Sequence, residues 1–205
     1  MTSLERVLNA LQRRPLDRVP RLLYEEVIGY TPPIERLLRA HCAPRTPLEA
    51  FGMDITRVTF APTTLPRTRF ADWLGSAAPE ALERGKVDEW GVWRRGGEFH
   101  HFVQIQSPLR GALDPRRLED YPWPDLDQPH RFSGVSQRVA ELHARGLAVA
   151  AYAGSVFERA WSLRGFEDLL MDLVAAPDSA HRLLERTAAF QRYAAVQFAR
   201  AGADI

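Results

Sequence analysis

Apolar residues recur at helical spacing from the first turn of the chain: Leu4, Val7, Leu8 and Leu11 fall on one stripe. Thr2 and Glu5 stand at capping-box spacing ahead of it, so the stripe predicts a helix starting at Thr2 and ended by Pro15. An apolar run from about Val19 to Tyr24 then predicts a strand. Pro32-Pro33 opens a short helix containing Ile34, Leu37 and Leu38. Thr46-Pro47-Leu48-Glu49 is a second capping box with proline at the first helical position, closed by Gly52. The β-branched run DITRVTF predicts the next strand.

The middle of the chain changes character. Residues 62–86 read as loop-rich, with Pro62, Pro66 and Pro79. VDEWGVWRRGGEFHHFVQI reads as a hairpin turning at Gly96-Gly97, and DPRRLEDYPWPDLDQP as a proline-punctuated linker with one helical turn. A long helix is predicted from about His130 to Arg145, closed by Gly146. LAVAAYAG is a nearly continuous apolar run, the kind of strand that parallel sheets bury on both faces. Helices follow around Gly165–Ala175 and Asp178–Ala201, with Asp178 as a capping candidate and Ala194, Phe198 and Ala201 on one stripe. Gly202 ends the last helix, and Ala203-Asp204-Ile205 reads as the first residues of another strand.

Strands alternating with helices predict an α/β fold with a parallel sheet, interrupted by the hairpin. Three core strands and the beginning of a fourth correspond to about half of an eight-stranded barrel, with the C-terminal half missing. An open half-barrel exposes two strand edges, so one reading is an inactive fragment that needs a partner half.

Composition narrows the function classes. The 205 residues are 45% hydrophobic and carry a formal net charge of +1, which gives no global pull toward nucleic acid or an anionic membrane. Lys86 is the only lysine, and the arginines are interleaved with acids. Cys42 is the only cysteine, which excludes a disulfide framework or a multi-cysteine metal site within this chain. The N-terminal stretch has no signal-peptide core and no run has the length of a membrane span, so a cytoplasmic protein is expected. The adjacent pairs His41-Cys42 and His100-His101 point their side chains in different directions and are not read as metal ligands. Trp90, Trp93, Phe99 and Phe102 read as hairpin packing, since no basic groove accompanies them.

Several stretches, DRVP, EAFGMDITRV, VDEWGVWRR, YPWPD, the run AYAGSVFERAWSLRGFEDLLMDLVAAPDSAHRLLE and AGADI, occur in an order that resembles the uroporphyrinogen decarboxylase superfamily, whose other main branch holds cobalamin-dependent methyltransferases. The resemblance covers essentially the whole chain. It implies the N-terminal portion of a single (β/α)8 TIM barrel of the uroporphyrinogen decarboxylase type, with an inserted β-hairpin.

It also implies a set of site residues. Asp54 matches the decarboxylase aspartate that stabilises a cationic pyrrole intermediate, a task suited to fixed negative charge in a partly dry cleft. Trp161 matches a tyrosine that touches substrate. Tyr152, Gly154, Ser155 and Glu158 lie on the loop leaving the LAVAAYAG strand, where barrel enzymes place their catalytic mouth. Glu25 and Glu26 stand near the place where decarboxylases carry an RQAGR-like segment that binds substrate carboxylates. Without those arginines, two carboxylates would repel a polycarboxylate substrate.

The DEWG hairpin, the YPWPD linker and the missing arginines favour the methyltransferase-like branch, moving a methyl group between a corrinoid protein and a small thiol. In that branch zinc, which lowers the pKa of the acceptor thiol, is held by a His-x-Cys pair and a later cysteine in the second half, so none is bound by this segment. Cofactor-free decarboxylation of uroporphyrinogen or a related tetrapyrrole, with Asp54 as catalytic residue, is the alternative. Expected partners are a small-molecule or tetrapyrrole/corrinoid substrate, a corrinoid protein and a second copy of the chain, with neither nucleic acid nor membrane.

Overall fold

The computed structural model describes residues 1–22, 32–83, 87–96, 103–111 and 115–205. The chain divides into two compact units. One comprises Met1–Ala61, Phe132–Tyr152 and Ala195–Ile205, the other Pro62–Arg131 and Ala153–Ala194.

The first unit is built on a parallel strand pair. α1 (Ser3–Leu11) starts at the predicted capping box, with Glu5 N donating to Thr2 Oγ1 at 3.1 Å and Thr2 N donating to Glu5 Oε2 at 2.8 Å. α2 (Pro32–Cys42) and α3 (Pro47–Ala50) follow, the latter with the second capping box at Thr46 and Glu49. β1 (Ile55–Val58) pairs in parallel with Ala148–Ala151, in register Ile55↔Ala148. That partner strand is reached through a helix over Val135–Ala144. The helix starts later than expected because Gly134 holds φ +81, which no continuous right-handed helix from His130 tolerates. The last residues join the sheet on the other side: Asp204 N donates to Val149 O, and Ala151 N to Ile205 O, each at 2.8 Å. Ala148 and Val149 are fully buried between the two flanking segments. Of the strand expected at about Val19 to Tyr24, residues 19–22 are irregular and 23–24 lie outside the described residues.

The second unit packs a hairpin against helices. β2 (Trp93–Gly96) and β3 (Val103–Gln106) are antiparallel, in register Trp93↔Gln106; the expected turn at Gly97 lies outside the described residues. Residues 62–83 are more helical than expected: a 3-10 turn at Arg67–Phe70 leads into α4 (Ala71–Leu74) and then α5 (Ala78–Glu83). Phe70, Leu74, Ala78 and Ala81 explain the difference, since their helical spacing buries all four in the core. After α6 (Pro115–Glu119), the helix over Val135–Ala144 is α7 and the strand over Ala148–Ala151 is β4. α8 (Val156–Arg164) and α9 (Phe166–Ala175) are joined at Gly165. α10 (Pro177–Arg200) opens with Pro177, so Asp178 sits in its first turn and not at its cap. α10 begins in the second unit and ends in the first. The architecture is mixed α/β with the beginning of a parallel sheet; the described strands do not close into a barrel. Among the described residues no helix is long and apolar enough to cross a membrane.

Candidate functional site

Asp54 immediately precedes β1 and is fully buried. Its Oδ1 accepts hydrogen bonds from Ser3 Oγ at 2.8 Å, Arg6 Nη1 at 2.5 Å and Arg18 Nη2 at 2.9 Å. Its Oδ2 accepts from Arg18 Nη1 at 2.6 Å and from Arg21 N at 2.7 Å. Arg6 is itself buried and forks onto Asp17 at 2.6 and 2.7 Å. Burial alone raises the Asp54 carboxyl; the bonds from Arg18, Arg21, Ser3 and Arg6 outweigh it and hold the carboxyl below the ordinary carboxylate value. The bond to Arg6 likewise depresses Asp17. The DRVP and GMDITRV stretches therefore meet in one ion network that fastens the N-terminal helix to the start of the strand. The lone pairs that a substrate would need are engaged.

In the second unit the DEWG and YPWPD stretches also meet. Asp88 Oδ1 accepts from Trp90 N at 2.9 Å and Val92 N at 3.0 Å, and its Oδ2 accepts from Arg94 at 2.7 Å and Arg159 at 3.0 Å. Glu89 accepts from the fully buried Arg131 at 2.5 Å. The Trp90 carbonyl accepts from the Tyr121 hydroxyl. Gly91 holds φ +77, and a Cβ there would lie 2.5 Å from the Phe70 ring and 2.6 Å from the Tyr121 oxygen. Only glycine fits this turn.

Beside this node lies a cleft of about 230 Å³ walled by Trp90, Trp123, Phe190 and Tyr193, with Asp125 and Arg186 among its polar lining residues. The Trp90 ring stands edge-on to Phe190 at 4.3 Å between centroids and to Trp123 at 6.3 Å. Arg159 sits over the Trp90 face at 4.9 Å.

The loop leaving β4 reaches the same helix, α10. Gly154 holds φ +104, and a Cβ there would stand 3.1 Å from the Gln191 amide nitrogen. Gln191 is buried, and its amide makes no hydrogen bond among the described residues. Ser155 caps α8 by accepting from Glu158 N at 3.3 Å, while the Glu158 side chain is exposed. Tyr152 is exposed and is the last residue of the Phe132–Tyr152 segment of the first unit. The structure thus groups Gly154, Ser155 and Glu158 on one turn. Trp161 lies farther along α8 and lines a second cleft with Ser107 and Arg110. Glu25 lies outside the described residues, as do Phe99, Phe102 and His100-His101. Trp90 and Trp93 are buried, as expected of hairpin packing. Cys42 is buried and His41 exposed, and no three His, Cys, Asp or Glu side chains are grouped as a metal site among the described residues.

Reading along the sequence missed Gln191, Ser107 and Arg110. Gln191 carried a signal, because it interrupts the stripe Ala180, Leu183, Thr187, Ala194 and Phe198 of α10 with a polar group.

No family model and no curated protein sequence matches the chain. Among solved structures, a methyltransferase from Methanosarcina mazei is similar in fold, with a TM-score of 0.56 and 16% identity; the match covers all of this chain and 57% of that one. The chain therefore spans little more than half the length of that protein, and the likeness is one of fold.

Proposed function

We propose that the protein is a methyltransferase-like member of the uroporphyrinogen decarboxylase superfamily, acting on a methyl group carried by a corrinoid. The observation behind this reading is the fold likeness to a methyltransferase over the full length of the chain. The meeting of DEWG with YPWPD agrees with it, because the two stretches that resemble this branch form one packed node.

In this reading the β4 loop and the aromatic cleft receive the methyl donor. Gly154 lets backbone approach a ligand closely, and Gln191 offers an uncommitted amide donor and acceptor beside it. The edge-on rings of Trp90, Trp123 and Phe190 provide flat apolar walls. Asp54 serves as an anchor for the N-terminal helix and takes no part in the chemistry. This weighs against tetrapyrrole decarboxylation, in which Asp54 would be the catalytic residue. Zinc would activate an acceptor thiol by lowering its pKa. The donors described here do not fit it, since the one thiol, Cys42, is buried and stands in no cluster of ligands.

The test incubates the purified protein with methylcobalamin and a small thiol and follows the cobalamin absorbance. Protein-dependent demethylation is expected, lowered at least tenfold in Gln191→Ala with folding intact. Decarboxylation of a tetrapyrrole acid without demethylation would overturn the reading.

A further inference from the structure

A further group of charges in the second unit lies on the 3-10 turn Arg67–Phe70 and on the segments that face it. Arg69 Nη2 donates to the Glu89 carbonyl at 3.0 Å, and its Nη1 to the Trp123 carbonyl at 3.5 Å. Arg131 reaches the same segments, with Nη2 on the Glu89 carboxylate at 2.5 Å and Nη1 on the Asp125 carbonyl at 2.7 Å. Arg69 and Arg131 therefore share one pair of neighbours, Glu89 and residues 123–125. Arg67 acts on the same group. Burial lowers the pKa of Arg69, and the charge of Arg67 lowers it further, as does that of Arg131, while Tyr121 and Glu89 push the other way.

The charges do not balance. Glu89 is the carboxylate of this group, and it is spent on Arg131. Arg69 is met by carbonyl oxygens and by the Phe70 ring, whose centroid lies 4.7 Å from its guanidinium carbon. Arg67 makes neither an ion pair nor a hydrogen bond among the described residues. Three buried side-chain polar atoms among those residues lack a hydrogen-bond partner, and two of them stand here: Arg67 Nη1 and Arg69 Nε. Buried donors left open on a cation are costly, and two like charges at short range add to that cost. Each residue as a whole is half-buried, so the pair is open to solvent. An anion that accepts from both arginines relieves both costs.

The charge count selects the anion. Two uncompensated positive charges match a dianion, whereas a monoanion leaves one of them over. The planar fork of Arg67 is wholly available and suits the oxygens of a phosphate. A phosphate monoester carries a charge of about −1.5 to −2 and three acceptor oxygens, enough to serve both arginines.

We infer that Arg67 and Arg69 form a binding site for a dianionic phosphate group, with the Arg131–Glu89 ion pair fixing the segment to which Arg69 is bonded. The inference does not rest on the methyl-transfer reading, and its test measures binding alone.

Calorimetric titration of the full chain, dialysed free of phosphate, with inorganic phosphate, phenyl phosphate and acetate tests the site. A phosphate is expected to bind in the micromolar to millimolar range, and acetate about tenfold or more weaker. Tighter binding of phenyl phosphate supports the site as one for a phosphorylated small molecule, and tighter binding of inorganic phosphate supports it as one for the free ion. Arg67→Met should weaken phosphate about tenfold, and Arg67→Lys by a smaller factor, since it keeps the charge and loses the fork. Arg36→Met, at an exposed arginine of the first unit, should change nothing. Far-ultraviolet circular dichroism checks that each variant is folded. Undetectable binding of both phosphates, acetate binding as tightly as phosphate, indifference to Arg67→Met in a folded variant, or an equal loss in Arg36→Met would each overturn the proposal.

Discussion

Two polar clusters, one in each unit, are opposites. Around Asp54 every donor finds an acceptor: a fully buried carboxylate receives Ser3, Arg6, Arg18 and the Arg21 backbone, and Arg6 turns its remaining nitrogens to Asp17. Around Gly165 the polar groups are left open: Ser107 and Arg110 line a cleft and make no side-chain hydrogen bond among the described residues, and Asp168 shares Arg164 with Asp172. A closed network fixes structure, whereas an open one leaves free energy for a ligand. A charged residue at a family-like position is thus a functional candidate only when its hydrogen-bonding capacity is still free.

Removing the carboxylate should break the closed cluster most severely. Asp54→Ala leaves Arg6 buried beside a missing partner and is expected to cost about 3–5 kcal/mol in urea unfolding. A variant that unfolds like the parent but loses activity would reverse the assignment and make Asp54 a catalyst. Gly91→Ala should cost about 3 kcal/mol, combining a left-handed backbone with a methyl driven into Phe70 and Tyr121. Its thermal melt would show whether the DEWG node is as tightly closed as the Asp54 network. Ser155→Ala, which removes the cap of α8, should cost about 1 kcal/mol.

Acid sharpens the contrast further. Asp54 and Asp17 titrate below their ordinary values in the fold, so their stabilisation is complete above the unfolded carboxyl value of about 4. It is lost as pH falls below that value toward the depressed ones. Asp54→Asn should flatten this acid limb of the stability profile, while Arg110→Met should leave it unchanged.

The sequence made legible whatever is decided within a few residues. Both capping boxes stand where Thr2-Glu5 and Thr46-Glu49 put them, because each needs only a four-residue window. The two hairpin strands and the apolar β4 follow equally from local pattern. The short helices of 67–83 were hidden by their prolines, although Phe70, Leu74, Ala78 and Ala81 carried the period. The later start of α7 rests on the conformation of one glycine, Gly134. Residues 19–22 are irregular, and the Arg21 N–H goes to the Asp54 carboxylate while its carbonyl accepts from the Asp54 N–H.

The site was least legible where partners are distant in sequence. Asp54 reads as a free acid until Arg6 and Arg18, some 48 and 36 residues away, are brought to it. Ser107 and Arg110 lie in an unremarkable loop after β3, and only the arrival of Gly165 and Trp161 gives them a shared cleft. Trp161 itself was singled out from the family resemblance, which did not indicate the neighbours it would have.

The most direct test of the closed network is a double-mutant cycle between Arg6 and Asp54, measured by urea unfolding of Arg6→Met, Asp54→Asn and the combination. A buried, charge-assisted pair predicts a coupling of about 2–3 kcal/mol, with the double variant more stable than the two single losses would give by addition. Additive losses would contradict the account and return Asp54 to the list of candidate catalysts.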